Sequence, residues 1–219
     1  MTKQRVAVIA VLAAAVAIGV FVAVKMYRVV PESPLPDAEA QFRYGVVDNA
    51  GAPQIPYWMW LTLPRVFPDL LPGPGGYPTL GISWDLGQEL PIGFSKKTVG
   101  YPRVGTNCAL CHAAVERGGD LENPKFVVVR RPAVSNLAAY LRFLSAAAND
   151  SRFNADAFLD RIDYAYKLSW SDKLLYRYWI IPSTRRTLRE IRIPSGAVHP
   201  KDSAEWPQLE KWINDNATR

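Results

Sequence analysis

Apolar and polar positions divide the chain into successive stretches of different character. From Val6 to Val24 no side chain is charged or strongly polar, and Lys25 and Arg28 close the run. At about 1.5 Å per residue, a helix of that length spans a hydrocarbon core. Pro31-Glu-Ser-Pro-Leu-Pro36 then reads as an extended, stiff linker. From Phe42 to Gly105 short apolar runs alternate with glycine, proline and aromatic residues, and helical periods are few. Within it, Tyr57 to Pro64 predicts one short helix ended by its proline, with Trp60 and Leu61 facing inward. Leu71–Gly76 and Pro91–Lys97 read as loops. Trp58, Trp60, Phe67, Tyr77, Trp84 and Phe94 give this stretch much to bury, so it is expected to be an ordered, irregular wrap.

Helical spacing takes over downstream. Ser135 is a candidate N-cap for a helix burying Leu137, Tyr140, Leu141, Leu144 and Ala148. Asn154 caps a second, with Phe158, Leu159 and Ile162 inward. Ser171 caps a third through Leu174, Leu175, Tyr178 and Trp179, stopped by Pro182. A fourth starts at Ser183, carrying Leu188 and Ile191 inward and Arg185, Arg186, Arg189 and Arg192 outward. A last short helix is expected over Ala204 to Asn214. The fold class read from this pattern is mainly α, with a long irregular N-terminal wrap behind one transmembrane helix.

Charge places the apolar run. Lys3 and Arg5 precede it, as in a signal sequence, and Ala15-Val16-Ala17 offers a cleavage-like site. The run continues well past Ala17, which favours an uncleaved signal anchor. The expected division is a signal anchor over 1–28 with its membrane helix at 6–24, a proline-rich linker over 29–41, and one domain over 42–219. Lys25 and Arg28 balance Lys3 and Arg5, so charge alone does not orient the helix. The net charge of +6 suits an anionic membrane surface or an acidic partner. Nucleic acid is not expected as a partner, because the basic residues are spread along the chain.

The chemistry is concentrated in Cys108-Ala109-Leu110-Cys111-His112, which holds both cysteines of the chain and one of its two histidines. C-x-x-C-H reads as a c-type haem attachment site. Two thiols on one incipient helical turn can each add to a haem vinyl group, and the adjacent imidazole can take the iron as proximal ligand. A zinc site would need two more ligands, and only His199 remains among the Cys and His residues. A redox dithiol would be expected in a βαβ context that the pattern lacks. One covalently bound haem c is therefore the expected cofactor. Haem c in bacteria is attached outside the cytoplasm, which would put the domain in the periplasm, tethered by a single pass to the inner membrane.

Several segments together resemble a known family. They are Tyr57-Trp58-Met59-Trp60, Leu63 to Pro68, Leu71 to Tyr77, Leu90 to Ser95, Asn107 to His112, Asp150 to Asn154, and Leu174 to Arg177. This is similar to the N-terminal haem region of the dihaem cytochrome c peroxidase-like superfamily, in the branch that includes the rubber oxygenases. The resemblance spans roughly Phe42 to Arg189. It implies a cytochrome c-like haem domain. Those relatives are longer and carry a second C-x-x-C-H downstream, so this chain is expected to be a truncated or single-haem member.

The sixth iron ligand stays open at this level. No methionine follows His112, so Met59 is the only thioether candidate, and it sits among tryptophans, where a core methionine is usual. His199 could close a bis-histidine site. In the resembled rubber oxygenases the distal face is open, which makes an open or weakly ligated site the third possibility. Arg130 and Arg131 could contact haem propionates or be a solvated pair, and Lys96, Lys97 and Arg103 share that ambiguity. Tyr101 and Trp84 could edge the haem or be plain core. Three functions fit: a membrane-anchored monohaem electron carrier with a periplasmic or membrane redox partner, a peroxidase- or oxygenase-type haem enzyme, or a haem-bearing subunit of a larger, split dihaem complex. Electron transfer is favoured, because the chain holds one haem motif.

Overall fold

The structure is a computed structural model that describes residues 3–47, 53–115, 126–129 and 134–193, with Gln208, Lys211, Trp212, Asp215, Ala217 and Thr218. Helix α1 (Lys3–Tyr27) is long and apolar enough to cross a membrane. It is apolar on all sides and none of its apolar run is buried in the protein, as expected of a helix whose solvent is lipid. The chain then forms β1 (Val29–Val30) and, after a proline-rich stretch, α2 (Ala38–Tyr44), whose cap Asp37 accepts from the Ala40 N–H at 2.8 Å.

The stretch read as an irregular wrap contains regular structure. β2 (Ile55–Pro56) leads directly into α3 (Tyr57–Val66), and β3 (Phe94–Val99) and β4 (Tyr101–Thr106) form an antiparallel hairpin. The four strands make one sheet in the order β1-β3-β4-β2. Lys96-Lys97 and Pro102-Arg103 hid the hairpin from the hydrophobic pattern, because this ribbon is only half-buried and lacks a clean alternation. Gly100 turns it with φ of +72°, and its amide donates to the Arg28 carbonyl at 2.7 Å. A Cβ there would lie 2.3 Å from the Met26 carbonyl carbon. Glycine thus lets the hairpin tip press on the end of the membrane helix, while β1 pairs with β3 beside it.

Helix α3 does not stop at Pro64; it runs two residues further, with the proline inside it. Proline removes the N–H that would have met the Trp60 carbonyl. The Tyr77 hydroxyl supplies that bond instead, at 2.7 Å, from a ring stacked on Trp60 at 4.4 Å. The Trp60 indole N–H in turn donates to the Tyr140 hydroxyl at 3.1 Å. Trp60 is fully buried and Leu61 only partly so.

The main core lies between α3 and the C-terminal helices α5 (Val134–Asn149) and α6 (Ala155–Ala165). The expected stripes are the buried ones: Leu137, Tyr140, Leu141, Leu144 and Ala148 on α5, and Phe158, Leu159 and Ile162 on α6. Asn154 caps α6 by accepting from the Ala157 N–H at 3.0 Å. Helix α7 (Trp170–Leu175) is capped by Ser169 rather than Ser171, with the Asp172 N–H donating to the Ser169 hydroxyl at 3.1 Å. Pro182 does not end this helix. A π-helical turn, Tyr176–Ile180, carries it into α8 (Ile181–Arg189), with the proline at the junction just past the wider turn. The wider turn shifts the inward face to Tyr176, Ile180, Ile181, Thr184 and Leu188, leaving Tyr178 and Trp179 exposed. Arg185 and Arg189 are not simply outward: both donate to the Ala148 carbonyl at 3.0 Å, closing the C-terminus of α5. Arg152 clamps Asp69 and Asp150 at 2.7 Å each. The expected last helix falls largely outside the described residues; Gln208, Lys211 and Trp212 are helical. The molecule is mainly helical, with one small sheet against the membrane helix and a second described below.

Candidate functional site

Strand β4 delivers the chain to the Cys-x-x-Cys-His pentad. Cys108 is already in the right-handed helical conformation, and α4 (Ala109–His112) completes one turn, with the His112 N–H on the Cys108 carbonyl at 3.0 Å. Ala113 is extended and ends the turn, and the chain continues as β5 (Ala113–Val115), paired antiparallel to β6 (Phe126–Val129). The short β7 (Ala217–Thr218) adds parallel to β6. The turn is therefore suspended between the two sheets.

Asn107 fixes it in place. Its side-chain amide donates to the carbonyls of Arg43 and Gly45 at 3.2 and 3.0 Å, and its side-chain oxygen accepts from the Ala109 N–H at 3.0 Å. Its own N–H donates to the Gly93 carbonyl at 2.8 Å. Gly93 has φ of +89°, and a Cβ there would lie 2.4 Å from the Leu110 nitrogen, so only glycine lets this loop lie against the pentad. A closing element comes from α2: Phe42 packs in a small core with Ile92, Cys108, Ala109 and Val128, and its ring lies tilted against Trp212 with centroids 4.8 Å apart. Neither Asn107, Gly93 nor Phe42 was singled out as a site residue from sequence. The glycine in Pro91-Ile-Gly-Phe and the asparagine abutting Cys108 were the available signals.

All three chemically active side chains are buried: Cys108 at 7%, Cys111 at 9% and His112 at 4% exposure. Cys108 faces the small core and Cys111 the main one, so the turn wedges between them. Both thiols are free. Burial pushes the Cys108 thiol up to about 12, with the neighbouring Cys111 adding to it, and burial pushes Cys111 up to about 11. A working redox dithiol needs the opposite, a lowered pKa and an accessible sulfur. Among the described residues no three His, Cys, Asp or Glu side chains gather into a metal site. The donor set that remains is two reduced thiols and one imidazole on a single buried turn, and it fits covalent haem chemistry.

Met59 is fully buried in the main core on α3, and its carbonyl accepts from the Thr62 hydroxyl at 3.1 Å. His199, Arg130 and Arg131 lie outside the described residues. Lys96 pairs with Glu89 and covers the Tyr57 ring at 5.0 Å, and Arg103 lies over the Tyr101 ring at 4.3 Å. Trp84 is 37% exposed and donates to the Gln88 carbonyl at 2.8 Å. A buried Cys-x-x-Cys-His turn behind an N-terminal helix fit to cross a membrane is consistent with a membrane-linked haem-binding protein. No family model matches the chain, and neither does any curated protein or solved structure.

Proposed function

We propose that this protein is a membrane-anchored, periplasmic, single-haem c-type cytochrome that works in electron transfer. The observation that carries the reading is the buried helical turn bearing Cys108, Cys111 and His112, with both thiols reduced and no competing ligand cluster among the described residues. Cys108 and Cys111 would hold haem c through thioethers, and His112 would bind its iron from the proximal side. Bound there, haem supplies a one-electron ferric–ferrous couple. The chain's own residues do the rest. Asn107 and Gly93 hold the turn at one position relative to α2 and the hairpin, and the two cores exclude water around both sulfurs. Exclusion of water lowers the local dielectric, which is one of the levers by which a protein sets a haem potential. The resemblance to the N-terminal haem region of the dihaem peroxidase-like superfamily supports the same attachment chemistry, and a cytochrome c-like haem domain is part of this proposal.

A second reading, peroxide or oxygen chemistry at an open distal face, is favoured by one observation: no methionine follows His112. The two readings separate by spectrum. A six-coordinate, low-spin resting haem supports electron transfer, whereas a high-spin haem that turns over peroxide supports the enzyme. The attachment itself is tested in membranes from a bacterium with haem maturation. The protein band should retain haem stain after denaturing electrophoresis, and C108A/C111A should lose it. A stained double variant, or an unstained parent, refutes the assignment.

A further inference from the structure

Where α1 leaves its apolar run, the protein forms a partly open cavity of about 220 Å³. Lys25, the first charged residue after that run, borders it, and its ammonium meets Asp172 of α7 at 2.9 Å. The two charges pair with each other, so neither is left free for an ionic ligand, and the Arg103 guanidinium is taken up on the Tyr101 ring at 4.3 Å. The walls are aromatic. Trp58 stacks on Tyr166 with ring centres 4.1 Å apart and planes 11° apart, and the Tyr101 and Tyr176 rings lie 6.4 Å apart. Trp170, Tyr178 and Trp179 are exposed on the same helical run, and these residue types belong at a lipid–water boundary.

Two independent features mark Tyr176. Its hydroxyl oxygen is buried and has no hydrogen-bond partner among the described residues. A buried phenol that bonds to nothing is a group waiting for a partner. It is also the first residue of the π-helical turn, a rare element that recurs at functional sites. Tyr176 lines this cavity together with Tyr101, Tyr166 and Asp172.

We propose that this cavity binds the ring of a membrane quinone. An uncharged ring suits an aromatic lining whose one ion pair is closed on itself. The ligand must offer an acceptor to the Tyr176 O–H, and it must be small enough for a single substituted ring. A quinone carbonyl supplies the acceptor, and its isoprenoid tail has an exit into lipid along the exposed apolar surface of α1. This deepens the electron-transfer function proposed above and rests on it, since a lipid-soluble redox ligand is the partner that such a protein meets at the bilayer.

The test uses the full chain in lipid nanodiscs, titrated with a benzoquinone carrying a ten-carbon tail and followed by tryptophan fluorescence. Saturable quenching is expected, with its saturable part lost in W58F. Y176F should raise Kd about three- to tenfold, the worth of one neutral hydrogen bond. It should leave Tm unchanged or raised, because the variant removes an unbonded hydroxyl; a merely structural tyrosine would leave Kd alone. Equal Kd values for parent and Y176F, or only linear quenching, overturn the site. Equal affinity for the tail-less ring would assign the cavity to a soluble aromatic carbonyl and overturn the membrane ligand. Haem content is measured separately by mass. Protein that carries haem without quinone binding defeats this inference alone, and protein that binds quinone without haem defeats the electron-transfer reading alone.

Discussion

Replacing Asn107 probes the joint that holds the pentad. The residue is 3% exposed, and its side chain makes three hydrogen bonds: two donated to the Arg43 and Gly45 carbonyls, one accepted from the Ala109 N–H. N107A removes all three and leaves the Gly45 carbonyl and the Ala109 N–H unbonded, while the Arg43 carbonyl keeps its bond from the Gly93 N–H at 3.0 Å. At about 1 kcal/mol net for each bond, the loss is about 3 kcal/mol. In a domain of this size that corresponds to a Tm lower by about 6–12 °C. N107D is the sharper variant. It keeps the acceptor for Ala109, but sets a second oxygen against two carbonyl oxygens, so repulsion replaces two bonds. It should be at least as destabilised as N107A. Thermal unfolding of the full chain in detergent, followed by circular dichroism at pH 7, measures both. A Tm change under about 2 °C for N107A, or an N107D protein as stable as the parent, would refute this account of how the turn is held.

Other expectations follow from single contacts. G93A should cost more than about 2 kcal/mol, because it adds a backbone clash with Leu110 to a left-handed conformation worth roughly 1–2 kcal/mol. G87A, with φ of +78° and open space around it, should show the conformational part alone, and equal losses in urea unfolding would contradict the clash. Y77F leaves the Trp60 carbonyl unbonded and should cost about 1–3 kcal/mol; P64A, which restores an N–H at that point, should recover part of it in the double variant. Tyr77 and Tyr140 are held neutral in the fold, their pKa values raised by burial above the usual value of about 10. A raised acid pKa contributes stability that is present below about pH 10 and lost as pH rises beyond it. Tm should therefore stay flat across pH 7–9 and fall above about pH 10, and an equally steep fall between pH 7 and 9 would show that other groups govern it.

What could be read from sequence was whatever had a period or a spacing. The stripes of α5 and α6 emerged intact because each helix presents one face to one core. The pentad was legible because its residue types and intervals are dictated by chemistry. The hairpin was not, since a half-buried ribbon carrying Lys96, Lys97 and Arg103 offers no alternation. Proline was misread twice for one reason: at Pro64 and Pro182 the local rule held, but the fold compensated. Tyr77, thirteen residues on, filled the first gap, and a π-turn absorbed the second. The supports of the site were hidden similarly, because Asn107 and Gly93 act through backbone atoms of Arg43, Gly45 and Leu110 that sequence does not bring together.

The central claim is that Cys108 and Cys111 carry haem. Its most direct test is the intact mass of the acid-denatured full chain, purified from membranes of a bacterium with haem maturation. The account predicts a mass larger than the polypeptide by one haem, retained in acid because the bonds are covalent, and lost entirely in C108A/C111A. The bare polypeptide mass, with both thiols open to alkylation, would contradict it.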